Sequence, residues 1–143
     1  MRSGAAITLM TTKYIVDTHA LVWHLEGNPR LGSSAKTILA DPGSELVLPM
    51  IALAEACWMV EHGKSTISSV PDLLAAVDAD PRLEITPLNR EILDRSLGLT
   101  AIDEMHDRQI VASALVVQDK GATVALLARD LVIRSSGLVT VIW

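Results

Sequence analysis

The segment Tyr14-Ile15-Val16-Asp17-Thr18-His19-Ala20-Leu21-Val22-Trp23 decides how the chain is read. A short apolar run ends in an aspartate, and the residues after it take up helical spacing. Lys13–Asp17 is therefore expected as a strand and Thr18–Glu26 as a short helix ended by Gly27-Asn28-Pro29. The same alternation recurs along the chain. Strands are expected at Glu45–Leu48, Leu83–Thr86, Thr123–Leu127 and Val139–Trp143. Helices are expected from Ser33 or Ser34 to Ala40, at Met50–His62, 70–79, Asn89–Leu97, from Asp103 to about Lys120, and at Asp130–Ser136. Short apolar strands separated by helices predict an α/β domain with a mainly parallel sheet.

The 143 residues suit one compact domain, expected over 13–143, with residues 1–12 as a flexible N-terminal extension. Half of the chain is apolar, enough for a substantial core with apolar surface left for a partner. The longest apolar stretch, Leu46–Val60, is interrupted by Pro49 and Glu55 and is too short to span a bilayer. Arg2 and a few apolar residues make a poor secretory signal. The single cysteine, Cys57, excludes a disulfide framework, so the expected location is the cytoplasm. The net charge of −5 argues against a protein that grips nucleic acid by bulk electrostatics. It leaves room for enzymes whose clustered carboxylates hold metal ions.

Four carboxylates stand where solvation does not explain them. Asp17 follows a strand of apolar residues, at the sheet edge where α/β proteins bind ligands, although capping the next helix is an alternative role. Glu55 is the only charge between Met50 and Val60. A helix apolar on every side is normally buried, so Glu55 needs either a metal or an arginine partner. Asp107 shares a helix face with Ile110 and Val111, yet it also suits the helix N-terminus electrostatically. Asp130 follows Val124-Ala125-Leu126-Leu127, and either caps a turn or joins the same edge. Two carboxylates after strand ends and two on inward helix faces can converge at one edge of a parallel sheet with right-handed crossovers. An oxygen-only cluster of this kind suits Mg²⁺ or Mn²⁺. His19, His24, His62 and His106 form no zinc-binding spacing.

These segments resemble a known family. Tyr14–Trp23 is similar to the opening strand and helix of PIN-domain toxins of the VapC type, and Ile51–Ala56 running on through Val60–Lys64 to their second acidic motif. Asp107–Ala114 resembles the third, and Leu127–Asp130 with Ile133-Arg134 and Ser136–Leu138 the fourth and the closing strand. The resemblance covers Lys13 to Trp143 and implies a three-layer α/β/α sandwich with endoribonuclease activity. It also implies a homodimer and a small antitoxin that blocks the acidic cleft. There are departures. Ala128 stands where the family commonly has Thr or Ser, Glu104 where it has Asp, and Met105 where it has Pro. A lost hydroxyl at Ala128 would lower activity if it orients a ligand.

The implied chemistry is hydrolysis of an RNA phosphodiester at Mg²⁺ held by Asp17, Glu55, Asp107 and Asp130, Mn²⁺ being a substitute. Asp17 and Asp107 are assigned to the principal metal. Glu55 binds metal or positions water, and Asp130 completes a second or outer site. Thr18 is expected to hydrogen-bond near the ligands. Arg108 and Arg134 are candidates for RNA phosphates, with surface or carboxylate-pairing roles as alternatives. Trp23 and Trp58 are expected in the core rather than stacked on a base, and His19 and His106 as neighbours rather than ligands.

Three rival classes remain. A haloacid-dehalogenase-like phosphohydrolase needs a second acid two residues after Asp17, where this chain has His19. A receiver-like regulatory domain needs a lysine at a late strand end, which has no clear match in this chain. A non-catalytic RNA- or protein-binding module of the same fold is the third.

Overall fold

A computed structural model describes residues 11–143. Among these residues the order is β1 (Thr12–Val16), α1 (Thr18–Glu26), α2 (Ser33–Ala40), β2 (Glu45–Pro49), α3 (Met50–Glu61) and α4 (Val70–Asp78). There follow β3 (Leu83–Thr86), α5 (Arg90–Leu97), α6 (Met105–Asp119), β4 (Thr123–Leu127), α7 (Leu131–Ser136) and β5 (Val141–Ile142). Every expected element is present, with ends moved by a residue or two. β1 opens at Thr12, which pairs with Thr123, so the strand takes in the last residue of the expected extension. The expected extension otherwise lies in residues 1–10, outside the described residues.

All strand pairs are parallel, in the order β3-β2-β1-β4-β5. Consecutive residues Ile15-Val16, Leu46-Val47-Leu48 and Leu126-Leu127 are buried, so both faces of the central strands are covered. That is the α/β/α arrangement a parallel sheet requires. The chain moves from β1 outward to β2 and β3, then crosses back to lay β4 against the other side of β1. The direction of winding therefore reverses between β1 and β4. A crevice opens at the carboxyl ends of strands at such a reversal.

Local chemistry sets the helix ends. Ser69 accepts from the Asp72 N–H at 3.2 Å, and Asn89 from the Ile92 N–H at 3.0 Å. Gly27 ends α1 in the left-handed conformation at φ 65°, which a side chain would disfavour. Gly32 is needed for a different reason. A Cβ there would lie well inside van der Waals contact with the Trp143 carbonyl carbon and about 2.7–2.8 Å from its indole. Gly32→Ala is expected to cost about 1–3 kcal/mol by overpacking. An unchanged denaturant midpoint would show that the Trp143 segment moves aside freely.

The expectation that α3 is buried on every side fails. Ala52, Leu53, Ala56 and Met59 face the core, whereas Trp58 is 48% exposed and Met50 44%. Apolar composition around a helix does not report which side meets its neighbours, here α1, α4, α6 and β2.

Candidate active site

The reversal between β1 and β4 brings the four carboxylates together. Asp17 follows the last residue of β1, and its backbone N–H donates to the Leu127 carbonyl of β4 at 3.3 Å. Asp130 lies three residues beyond the end of β4, Glu55 one turn into α3, and Asp107 in the first turn of α6. All four line one cavity of about 280 Å³, together with His19, Glu104 and Arg129.

Their alternative roles now separate. Asp17 occupies the N-cap position of α1, but its side chain makes no capping hydrogen bond. It is 9% exposed and, among the described residues, forms no ion pair. Burial, reinforced by Asp107, Glu55 and Asp130 and partly opposed by the Thr18 backbone N–H, pushes the Asp17 pKa up to about 7. Asp130 does cap its helix: Oδ1 accepts from the N–H groups of Val132 at 2.8 Å and Ile133 at 3.1 Å. Asp130 therefore combines both roles considered for it, with Oδ2 left over.

Asp107 is not needed as a cap, because Glu104 accepts the Asp107 N–H at 2.8 Å. Burial, then Asp130, Glu104 and Glu55, raise the Asp107 pKa to about 6. Among the described residues Glu55 pairs with no arginine; its Oε1 accepts from the Thr18 hydroxyl at 2.9 Å. Thr18 is 1% exposed, so this bond ties α1 to α3 from a buried donor to a carboxylate on the cavity wall.

The remaining candidates divide. Arg108 does not line the cavity; its Nε donates to the Ile102 carbonyl and pins the start of α6 to the preceding loop. Arg134 is exposed on α7, also away from the lining. Trp23 is buried, as expected, but Trp58 is not. Sequence reasoning missed Arg129. Its guanidinium lies 5.0 Å from the Trp23 ring centroid at the cavity wall. Its position beside Asp130 was the available signal.

Among the described residues, no three His, Cys, Asp or Glu side chains are arranged to hold a metal ion as they stand. The donor chemistry nonetheless fits one. Asp17 is a buried carboxylate with no cation partner among the described residues, it shares its cavity with other carboxylates, and an all-oxygen set of this kind matches a hard divalent ion.

A model of the PIN domain matches residues 14–136. The chain belongs to the PIN-domain family. No curated protein is significantly similar to it in sequence. Its fold is similar to that of a chain in the promoter-DNA-bound VapBC2 complex of Rickettsia felis, at TM-score 0.66 and 16% identity over 91% of this chain and 97% of that one. It is also similar to VapC20 of Mycobacterium tuberculosis, a toxin that cleaves the sarcin-ricin loop, at TM-score 0.64 and 15% identity over 87% and 95%. A toxin–antitoxin complex from Klebsiella pneumoniae matches at TM-score 0.65 and 17% identity over 91% and 96%.

Proposed function

We propose that this PIN-domain chain is a divalent-metal-dependent endoribonuclease and the toxin of a toxin–antitoxin pair, acting in the cytoplasm. One observation carries the reading: Asp17, buried, uncapped and without an ion-pair partner, shares a cavity with Glu55, Asp107 and Asp130. The similar folds of VapC20 and of chains in the two complexes named above support it. Asp17 and Asp107 would hold Mg²⁺ or Mn²⁺, with Glu55 and Asp130 completing or orienting the site. When bound, the ion supplies charge neutralisation at the phosphate and lowers the pKa of an attacking water. Thr18 fixes the Glu55 carboxylate, and Arg129 offers the cavity a cation for the scissile or adjacent phosphate.

Ala128 is fully buried and is not part of the cavity lining. Its missing hydroxyl removes no cavity wall, and nothing else favours a domain that binds without cutting. Met105 and Leu131, next in sequence to the cavity residues Glu104 and Asp130, are exposed apolar side chains that an antitoxin would cover. A homodimer is part of the same proposal.

The direct test is cleavage of structured and unstructured RNA by the purified chain. Cleavage is expected with Mg²⁺ or Mn²⁺ and not with EDTA; metal-independent cleavage would overturn the reading. Thr18→Val keeps the shape of the side chain but removes the donor to Glu55. About ten- to a hundred-fold weaker Mg²⁺ activation is expected, as for other ligand-orienting hydrogen bonds. A Mg²⁺ titration identical to wild type would remove Thr18 from the site.

A further inference from the structure

A larger groove, of about 700 Å³, adjoins the acidic cavity and is lined in part by Trp23, Glu26, Arg30, Lys64, Ser65 and Thr66. Trp23 links the two. It walls the groove, while His19 and Arg129 of the acidic cavity lie against its ring at 5.3 and 5.0 Å. Arg30 lies 5.9 Å from the same ring. Arg30, Lys64 and Arg129 are exposed, and none forms an ion pair among the described residues. In a chain of net charge −5, three unpaired cations along one edge are a local reversal of sign.

Glu26 carries the groove's negative charge, and its oxygens are already engaged. They accept from Asn28 Nδ2 at 3.0 Å, the Ser65 hydroxyl at 2.7 Å and the Thr66 N–H at 2.9 Å. Glu26 thereby holds the loop after α3 against the end of α1. The aromatic element comes from α3. Trp58 stands one turn after Glu55 on the same helix face, exposed, and stacks on His62 with ring centroids 4.2 Å apart. Lys64 Nζ lies 5.8 Å from the Trp58 ring and also lines the groove.

An exposed tryptophan beside Lys64, with Arg30 and Arg129 on the Trp23 ring further along, matches the pattern that binds single-stranded nucleic acid: bases stack while cations follow the backbone. We propose that this groove and the Trp58–His62 pair form a subsite for single-stranded RNA flanking the acidic cavity. Trp58 stacks an unpaired base, and Lys64, Arg30 and Arg129 hold phosphates of the strand entering or leaving the carboxylates. The inference rests on RNA being the substrate. The three unpaired cations favour an anionic strand over a protein here, although Met50 adds a second exposed apolar side chain to α3 beside Trp58; Met105, Leu131 and Val132 belong to α6 and α7.

The test is fluorescence anisotropy of a labelled single-stranded oligoribonucleotide with the full chain in EDTA, across a range of salt, beside the cleavage assay. Trp58→Ala is expected to weaken binding about ten-fold, and Trp58→Phe to restore most of it. Arg30→Ala with Lys64→Ala should flatten the dependence of log affinity on log salt by about 1.4, about 0.7 for each phosphate no longer neutralised. In cleavage, these variants should raise KM and leave kcat nearly unchanged. The proposal is overturned if the wild type does not bind the RNA, or if the variants bind it as wild type does. Lost self-association with intact RNA affinity would mark the face as a protein interface and overturn it equally. RNA bound with the expected losses but never cut would sink the nuclease reading and leave the subsite standing.

Discussion

Asp17→Asn is expected to lower metal-dependent RNA cleavage by about a thousand-fold or more, with the fold retained. Asparagine keeps the shape of the side chain and one carbonyl oxygen, and removes the negative charge. The site depends on that charge, because a phosphodiester approaching four carboxylates is repelled unless a cation is held between them. A thousand-fold loss corresponds to about 4 kcal/mol of transition-state stabilisation, within the range that metal-ion catalysis contributes. Asp107→Asn should fall in the same class. Asp130→Asn should cost less, since Asp130 Oδ1 is already committed to the N–H groups of α7. Single-turnover cleavage at saturating Mg²⁺ measures these losses. An Asp17→Asn enzyme with more than about a tenth of wild-type rate would remove Asp17 from the centre of the site.

The second large effect is on stability without metal. The Asp17 carboxyl rises from 3.8 to about 7 on folding, chiefly through burial, and Asp107 from 3.8 to about 6. Both folded-state values lie above the unfolded ones, so the folded chain holds these protons more tightly. Their contribution to stability is fully present below about pH 4. It is lost as pH rises toward about 7, where the unfolded chain ionises freely and the folded one must bury charge. For Asp17 alone the span corresponds to at most about 4 kcal/mol. In EDTA the melting temperature is therefore expected to fall by about 5–10 °C between pH 5 and pH 8.

Mg²⁺ at pH 8 should recover much of this loss by binding only the folded, ionised site. His24 acts in the opposite direction: burial lowers its pKa, so acid destabilises the fold through it. Comparison with Asp17→Asn cancels that contribution. The variant should be the more stable of the two at pH 8 in EDTA and should lose the advantage near pH 4. Parallel pH profiles for wild type and variant would show that Asp17 is not the buried charge described here. The same comparison separates lost catalysis from lost folding.

Much of the fold was legible in the sequence because strand and helix patterns are local. Tyr14-Ile15-Val16 followed by Asp17, and Val124-Ala125-Leu126-Leu127 followed shortly by Asp130, mark the carboxyl ends of the two strands that flank the reversal. Gly27 and the capping residues Ser69 and Asn89 mark helix ends for equally local reasons. The four carboxylates that share the cavity were recognisable from those placements. Glu55 stands out in the sequence by its isolation among apolar residues, although α3 is exposed on the side bearing Trp58.

What each side chain does was decided by tertiary structure. Whether Asp17 is a cap or a free carboxylate depends on the pocket closed around it by α3, α6 and the end of β4. The partner of Glu55 is Thr18, 37 positions away and brought near only by packing α1 on α3. Arg108 was diverted to the Ile102 carbonyl, while Arg129 was carried to the cavity wall by its stacking on Trp23. The sequence by itself determined the order of elements and the carboxylates at their ends, because those follow from local periodicity and turn chemistry. Tertiary structure alone decided which carboxylates stay unpaired and which cations and aromatics stand beside them. Burial and hydrogen-bond partnership are properties of segments distant in the chain.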